Sequence, residues 1–474
     1  MIVFLIFFIM LAILGIAGVA SALSRSYSRS KGIAITSAGI ILLLALYSIF
    51  LALSTKGFLG STESIAYISQ FGIYLSFSAT QFSIILVLLA SIVSFAATVA
   101  VSSKFENNKN IYPLIILFEF SAMGLFLSAN LFIFYIFWDI GVLASYFLIS
   151  SFGKGENKHA ANTFLIYSIF ASAVLLFGIM LIYFYTPVHS FDISYIASHS
   201  YMIPLALRGT IFILLFIAFM VKMPIFPFHS WIADAYSDAP TQGSMLISGV
   251  LSKFGAYGML LLFSMMAFSY GFAKYAFVLG AVSAFYSAFV VMRYKDLKKI
   301  IAYSSMLESG IILVGISSLN AFGTAGAVYL MLAHGLVMAL MFAVIGGIEI
   351  SYGSRNIAVL KGIVKDSVGS AYSFLVGTFA STGVPLTAGF IADVLIFIGA
   401  IDTYGLYGAI PIFSIMLLGF YMYYAINKSF LSTKESSDSI AKLPRQMAFT
   451  YAIALSAIFA FGIFPFVVTS LFGL

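Results

Sequence analysis

The chain contains no cysteine and only two tryptophans among its 474 residues. Without cysteine it can form no disulfide, no thiolate metal site and no cysteine-bound iron–sulfur cluster, so any electron transfer must take place in another chain. Charged residues are also scarce, at 8%, against about 25% in a typical soluble domain. Hydrophobic residues make up 62%. This composition excludes an ordinary soluble globular protein and predicts a membrane protein.

Other features missing from the sequence exclude further classes of function. The net charge of +7 does not indicate nucleic-acid binding, because the lysines and arginines lie in short loops between apolar runs. The sequence has no phosphate-binding glycine loop and no pair of histidines at helical spacing for a metal. No strongly cationic segment precedes the first apolar run, which we expect to be a retained span and not a cleaved signal. We therefore expect no metal site, no cofactor and no active site in this chain.

Fourteen apolar runs are candidates for crossing a bilayer, since each crossing needs about 20 apolar residues. These runs cover residues 1–23, 32–53, 82–102, 111–129, 130–152, 160–186, 207–225, 240–265, 267–291, 299–319, 322–349, 366–400, 405–427 and 446–472. The pattern predicts an all-α polytopic bundle of about fourteen transmembrane helices.

The distribution of positive charge supports an even number of spans. If the N-terminus lies outside, 18 of the 23 lysines and arginines fall in the inner loops. Lys56, Arg208 and Lys274 are left outside, while Lys222 and Lys253 fall at membrane depth. We expect both termini on the outer side of the cell membrane.

Two spans are interrupted, the seventh near Pro224 and Pro227 and the twelfth near Gly383 and Pro385. Proline removes a backbone donor, and inside a membrane the freed groups must face protein or a water-filled cavity. The breaks are five spans apart, an odd number, so the equivalent helices run in opposite directions. This predicts two inverted five-helix repeats, an arrangement that marks ion sites in transporters.

The repeats divide the chain into four predicted parts. They are a three-helix segment at 1–110, the repeats at 111–265 and 266–430, and a loop with the last helix at 431–474.

Seven ionisable residues interrupt the apolar runs, although a charge at the bilayer centre costs about 3 kcal/mol on insertion scales. They are Glu119, Asp139, Lys222, Lys253, Glu308, His334 and Asp393. Each has an alternative structural interpretation, such as a structural ion pair, a lysine that reaches the interface, or a satisfied core histidine. Together they predict a proton or cation pathway, because burial favours neutral Lys222 and a nearby carboxylate favours its charged form. His334 can extend such a relay, and Tyr303, Ser304 and Ser305 can order water beside it.

The run Lys222-Met-Pro-Ile-Phe-Pro-Phe-His-Ser-Trp-Ile-Ala-Asp-Ala-Tyr-Ser-Asp-Ala-Pro-Thr241 resembles a signature of the antiporter-like membrane subunits of respiratory complex I. Energy-converting membrane-bound hydrogenases and Mrp-type sodium/proton antiporters contain members of the same superfamily. Further segments are similar to this superfamily, and the likeness covers roughly residues 80–430. These segments are Phe137–Gly141, Gly249–Gly258, Asp296–Ser305 and Ala333–Gly335.

The resemblance implies fourteen helices, inverted repeats and broken seventh and twelfth helices. It places Asp139 at the fifth-helix carboxylate, Lys222 at the lysine that pairs with it, and Lys253 at the connecting lysine of the eighth helix. It places His334 on the central polar axis and Asp393 at an acidic or basic position of the twelfth helix.

The chain departs from the family pattern in three places. Aspartate replaces glutamate at 139, and aspartate also stands at 393, which shortens the reach of both carboxylates. Glu308 stands where many complex I members have histidine and is similar to the hydrogenase branch. The acid at 393 makes the chain most similar to the middle antiporter-like subunit of complex I.

The expected function is translocation of H⁺ or Na⁺ by a subunit of a redox-driven, complex I-like pump. Iron–sulfur clusters and a quinone or other acceptor are expected in partner subunits, alongside homologous antiporter-like subunits in the lipid bilayer. The main alternative is a subunit of an Mrp-type antiporter with no redox partner. A third possibility is an inert scaffold, although a scaffold gains nothing from buried charge.

Overall fold

The computed structural model describes residues 2–55, 57–101, 108–433 and 442–474. Three cations used in the charge count, Lys56, Lys104 and Lys434, lie outside the described residues.

Helices dominate the described part of the chain. The first group is α1 (Ile2–Leu23), α2 (Tyr27–Ser54), α3 (Gln81–Val99), α4 (Ile111–Leu127), α5 (Leu131–Phe152), α6 (Asn157–Tyr185), α7 (Ile193–His199), α8 (Leu205–Lys222), α9 (Ile232–Asp238) and α10 (Thr241–Leu246). The second is α11 (Ser252–Met265), α12 (Ala273–Val291), α13 (Leu297–Ser317), α14 (Ala321–Tyr352), α15 (Ile363–Asp366), α16 (Val368–Ser381), α17 (Ala388–Tyr404), α18 (Ile412–Ser429), α19 (Arg445–Ile463) and α20 (Phe466–Thr469). A π-helix, Ile247–Leu251, joins α10 to α11.

Twelve helical segments of the described residues are long and apolar enough to cross a membrane. Two more apolar helices, α4 and α18, occupy the places of the predicted fourth and thirteenth spans. Helices α16 and α17 are the two halves of the twelfth. The prediction of an all-α, polytopic membrane bundle is confirmed.

The segment between the second and third spans contains a β-hairpin. Strands β1 (Thr62–Ile68) and β2 (Ile73–Ser78) pair antiparallel, with Thr62 opposite Ser78. The thirteenth span begins later than predicted, at Ile412, because Gly405–Ala409 forms a 3₁₀ turn after α17.

Three helical segments form the centre of the bundle. The most apolar stretches of 241–265, 297–317 and 321–352 are wholly buried, whereas those of α1, α2 and α6 are 39% buried. Close packing at the centre depends on small residues, as is usual for helices in membranes. A Cβ atom added to Gly335 of α14 would lie 2.7 Å from the carbonyl oxygen of Gly249 in the π-helix.

Both predicted breaks are present. Helix α8 ends at Lys222 and α9 begins at Ile232, while α16 ends at Ser381 and α17 begins at Ala388. The two breaks share a hydrogen-bond pattern in which an amide bonds to the carbonyl five residues earlier. These bonds run from Ile225 N to Met220 O (3.0 Å) and from Val384 N to Phe379 O (2.9 Å). Broken seventh and twelfth helices are confirmed; the four-part division of the chain stays a prediction.

Candidate ion pathway

Lys222 is the last residue of α8 and is 1% exposed. Its Nζ donates a hydrogen bond to Ser168 Oγ of α6 (3.2 Å). The same Nζ lies 5.1 Å from the ring centre of Trp138 and 5.4 Å from that of Phe164. Cation–π attraction reaches about 2 kcal/mol in a site without water, so these rings partly replace the hydration that the ammonium loses.

Asp139 is half-buried on α5. Its Oδ1 accepts a hydrogen bond from Ser172 Oγ (2.5 Å), and the hydroxyl of Tyr135 lies close to its carboxylate. The ion pairs within 4 Å among the described residues do not include one between Asp139 and Lys222. The structure therefore brings these two predicted residues near one another without direct contact.

Lys253 and His334 form the centre of the pathway. Lys253 Nζ lies 2.8 Å from His334 Nδ1, and it donates to the carbonyl oxygen of Ser248 (2.9 Å) and to Ser252 Oγ (3.2 Å). His334 Nε2 lies 3.0 Å from Ser305 Oγ, which also accepts a hydrogen bond from Ser248 Oγ at 3.0 Å. Of the three predicted water-ordering residues, Ser305 thus contacts the predicted histidine.

Local backbone structure explains this contact. In the π-helix the amide of Ser252 bonds to Ile247 O, five residues earlier, in place of the α-helical carbonyl. The carbonyl of Ser248 is then available to Lys253. Single π-helical turns are frequent at functional sites. The crossing of Gly335 and Gly249 brings the neighbouring His334 beside Ser248 and Lys253.

Glu308 and Asp393 continue the pathway toward α17. Glu308 of α13 is buried, lies within electrostatic range of Lys253 and Asp393, and has no hydrogen-bond partner for Oε1 among the described residues. Asp393 Oδ2 packs over the twelfth-helix break, where a Cβ at Gly383 would approach it to 2.7 Å. Gly383 has φ +68°, a conformation that favours glycine. The Asp393 side chain lines a cavity of about 480 Å³ between α17 and α18.

Glu119 stands apart from these residues. It is fully buried on α4, and neither carboxylate oxygen has a hydrogen-bond partner among the described residues. Its role in a pathway stays a prediction.

Sequence reasoning missed a group of cations around the end of α9. Lys298, placed by the charge count in an inner loop, is a buried residue of α13, and its Nζ donates to Ala239 O (2.7 Å) and Ser244 Oγ (3.1 Å). Arg355 donates to Ser237 O (2.7 Å) and pairs with Asp296 (3.0 Å). Cations bind the free carbonyls at a helix C-terminus favourably. This group therefore fixes the far end of the broken seventh helix to α13.

Replacing Lys298 with Met should destabilise the protein by about 1–3 kcal/mol, because the buried Ala239 carbonyl loses its closest donor. Thermal unfolding of the purified protein in detergent measures the change. Lys299→Met is the matched control, since Lys299 forms a partly exposed pair with Asp234 and such pairs contribute about 0–1 kcal/mol. Equal effects of the two substitutions would contradict the capping role of Lys298.

Comparison with known proteins finds a matching family and several relatives. The family described as NADH:quinone oxidoreductase/Mrp antiporter, TM, matches residues 128–414. F420H2 dehydrogenase subunit M of Methanosarcina mazei is 31% identical over 414 residues, which are 85% of this chain and 83% of the relative. NADH-quinone oxidoreductase subunit M of Rickettsia felis is 35% identical over 343 residues, 71% of this chain and 69% of the relative.

A solved structure agrees in fold. A chain of the Mrp complex of Dietzia sp. DQ12-45-1b superposes with a TM-score of 0.89 at 19% identity, covering 100% of this chain and 96% of the other.

The broken helices and the ionisable groups buried between them define an antiporter-like membrane protein. The chain belongs to the NADH:quinone oxidoreductase/Mrp antiporter transmembrane family. The resemblance stated from the sequence motifs is confirmed.

Proposed function

We propose that this chain translocates protons as a membrane subunit of a redox-driven complex. The observation that carries the proposal is the row of buried and half-buried ionisable groups from Asp139 through Lys222, Lys253 and His334 to Asp393. The hydroxyl of Ser168 contacts Lys222, and the hydroxyl of Ser305 contacts His334.

The energetic cost of this row argues against an inert scaffold. Lys222 and Lys253 are each 1% exposed, and each is expensive to place in a membrane. Neither forms an ion pair within 4 Å in the described residues, so structural pairing does not repay that cost. Buried charges of this kind usually mark ion pathways.

The roles follow from the positions. Asp139 and Lys222 form the first switch, Lys253 connects the two halves, and His334 passes the proton toward Glu308 and Asp393. Buried imidazole and amine groups at 2.8 Å can share one proton, and so the Lys253–His334 contact is suited to transfer. Energy would reach the row through conformational or electrostatic coupling to partner subunits.

Sequence similarity favours the redox branch of the family. The two relatives described above, at 31% and 35% identity, are named as subunit M of a dehydrogenase or oxidoreductase, whereas the Mrp chain is 19% identical. The name NADH-quinone oxidoreductase supports a quinone as the acceptor in a partner subunit, and iron–sulfur clusters in partner subunits remain part of the proposal. The described residues contain no group of three or more His, Asp or Glu that could hold a metal. We place the chain in the cell membrane with both termini outside.

The second candidate is an Mrp-type antiporter subunit, because the family that matches this chain also includes Mrp antiporters. Mass spectrometry of the intact complex, purified gently from native membranes, distinguishes the two. Iron–sulfur and acceptor-site subunits in the complex would support the redox-driven pump. Small membrane subunits without a redox protein would favour the antiporter.

The ion is tested in proteoliposomes that contain the purified complex and its electron donor. In sodium-free buffer we expect electron transfer to acidify the lumen or the medium, and a protonophore to abolish the signal. A pH change that appears only when Na⁺ is added, and that a protonophore does not abolish, would contradict proton pumping.

A further inference from the structure

The space between Asp139 and Lys222 is occupied by two serines of α6. Lys222 Nζ donates to Ser168 Oγ (3.2 Å), and Ser172 Oγ donates to Asp139 Oδ1 (2.5 Å). The serines are four residues apart, so they lie on the same face of the helix on successive turns, with their Cβ atoms about 5–6 Å apart. Both are buried.

These serines differ from most buried serines in the bundle. A membrane serine usually donates its proton to the backbone carbonyl three or four residues earlier in its own helix. Serines that do so here include Ser91, Ser121, Ser145, Ser287, Ser309, Ser317, Ser414 and Ser429. Ser168 and Ser172 bond instead to ionisable side chains on other helices. Their hydroxyls are therefore free of the backbone and available to the two ionisable groups.

The unused hydrogen-bonding capacity of Ser168 and Ser172 is suited to a chain of proton transfers. Ser168 accepts from Lys222 and has no acceptor for its own proton among the described residues. Ser172 accepts from Trp138 Nε1 (3.2 Å) and donates to Asp139, which leaves one lone pair. One water molecule can bridge two hydroxyls on successive helical turns.

We infer that Ser168 and Ser172 carry the proton between Lys222 and Asp139. The inference rests on the proposed proton-translocating function. An N–H bond of the Lys222 ammonium breaks as Ser168 Oγ takes the proton, and the proton of Ser168 passes to a bridging water. A water proton moves to Ser172 Oγ, and the Ser172 proton moves to Asp139 Oδ1. Lys222 ends as a neutral amine and Asp139 as a neutral acid, while both hydroxyls and the water are restored. The reverse sequence resets the pair.

The test uses the whole complex, purified and placed in proteoliposomes, with Ser168→Ala, Ser172→Ala and the double variant. Pumping per electron transferred should fall by about tenfold or more in the double variant, since a positioned proton-transfer group contributes about 10²–10⁴ in rate. Ser168→Thr and Ser172→Thr keep the hydroxyl and should pump close to the parent rate. Ser145→Ala is the matched control, because Ser145 is a buried serine whose hydroxyl bonds to its own helix.

Serine-to-cysteine variants serve where an alanine variant does not assemble. A thiol is similar in size to the hydroxyl but is a weak donor and acceptor, so these variants should assemble and pump slowly. Parent-level pumping by the Ala or Cys double variant, or an equal loss in Ser145→Ala, would overturn the inference. If Lys222→Met stops pumping while the double serine variant does not, the relay alone fails. If Lys222→Met also pumps normally, the proposed function fails with it.

Discussion

Replacing Lys222 with Met is expected to lower proton translocation by about 100-fold or more, within the range that positioned proton-transfer groups contribute. Methionine keeps an unbranched chain against Trp138 and Phe164 but has no proton to give to Ser168. The bundle should still assemble, because the substitution removes a buried charge and leaves only a serine hydroxyl without its donor. The initial rate of pH change in proteoliposomes, divided by the rate of electron transfer, measures the effect.

A second lysine, exposed on the surface, provides the control for the positive charge lost in Lys222→Met. Lys274 is exposed at the start of α12, so Lys274→Met should leave translocation unchanged. Normal pumping by an assembled Lys222→Met complex would remove Lys222 from the pathway. Equal losses in both variants would indicate a general electrostatic effect in place of a relay.

Replacing Lys253 with Met is expected to cause a similarly large loss, because it interrupts the pathway at its centre. His334 would lose the partner at 2.8 Å, and Glu308 would lose the positive charge that faces it. A buried carboxylate without a cation is costly, so this variant should also assemble less well than the parent. The level of complex in the membrane and the pumping rate per electron are both measured.

A double substitution separates these two effects. In Lys253→Met/Glu308→Gln the unpaired acid is replaced by a neutral amide, and we expect assembly to recover while pumping stays low. Recovery of pumping together with assembly would mean that Lys253 serves structure alone. His334→Gln, which keeps one donor and one acceptor near Lys253 and Ser305, should assemble and pump slowly for want of a titratable ring.

The sequence located the ionisable residues but not their contacts. Lys222, Lys253 and His334 were recognisable because an ionisable residue in an apolar run costs free energy to place in the membrane. Residues placed at such a cost usually serve a function. The distance between Asp139 and Lys222 depends on how α5, α6 and α8 pack. No periodicity could have revealed that Ser168 and Ser172 lie between them, since serines are common in membrane helices and most bond to their own backbone.

The cations near α9 show the same limit. Lys298 and Lys299 are neighbours in a basic segment, and the sequence treats them alike as inner-loop residues. The structure buries Lys298 against Ala239 and leaves Lys299 partly exposed beside Asp234. Which of two adjacent lysines caps a helix depends on the rotation of α13 about its axis, a property set by packing.

By itself, the sequence determined the membrane class, the number of spans and the two breaks. Each follows from local chemistry, because the length of an apolar run decides whether it can cross the membrane, and proline or glycine interrupts a helix. Only the tertiary structure decided that Lys253 meets His334, that a π-helix frees the carbonyl of Ser248, and that serines separate Asp139 from Lys222. These features arise where helices cross, because close approach at residues such as Gly249 and Gly335 selects which side chains face one another.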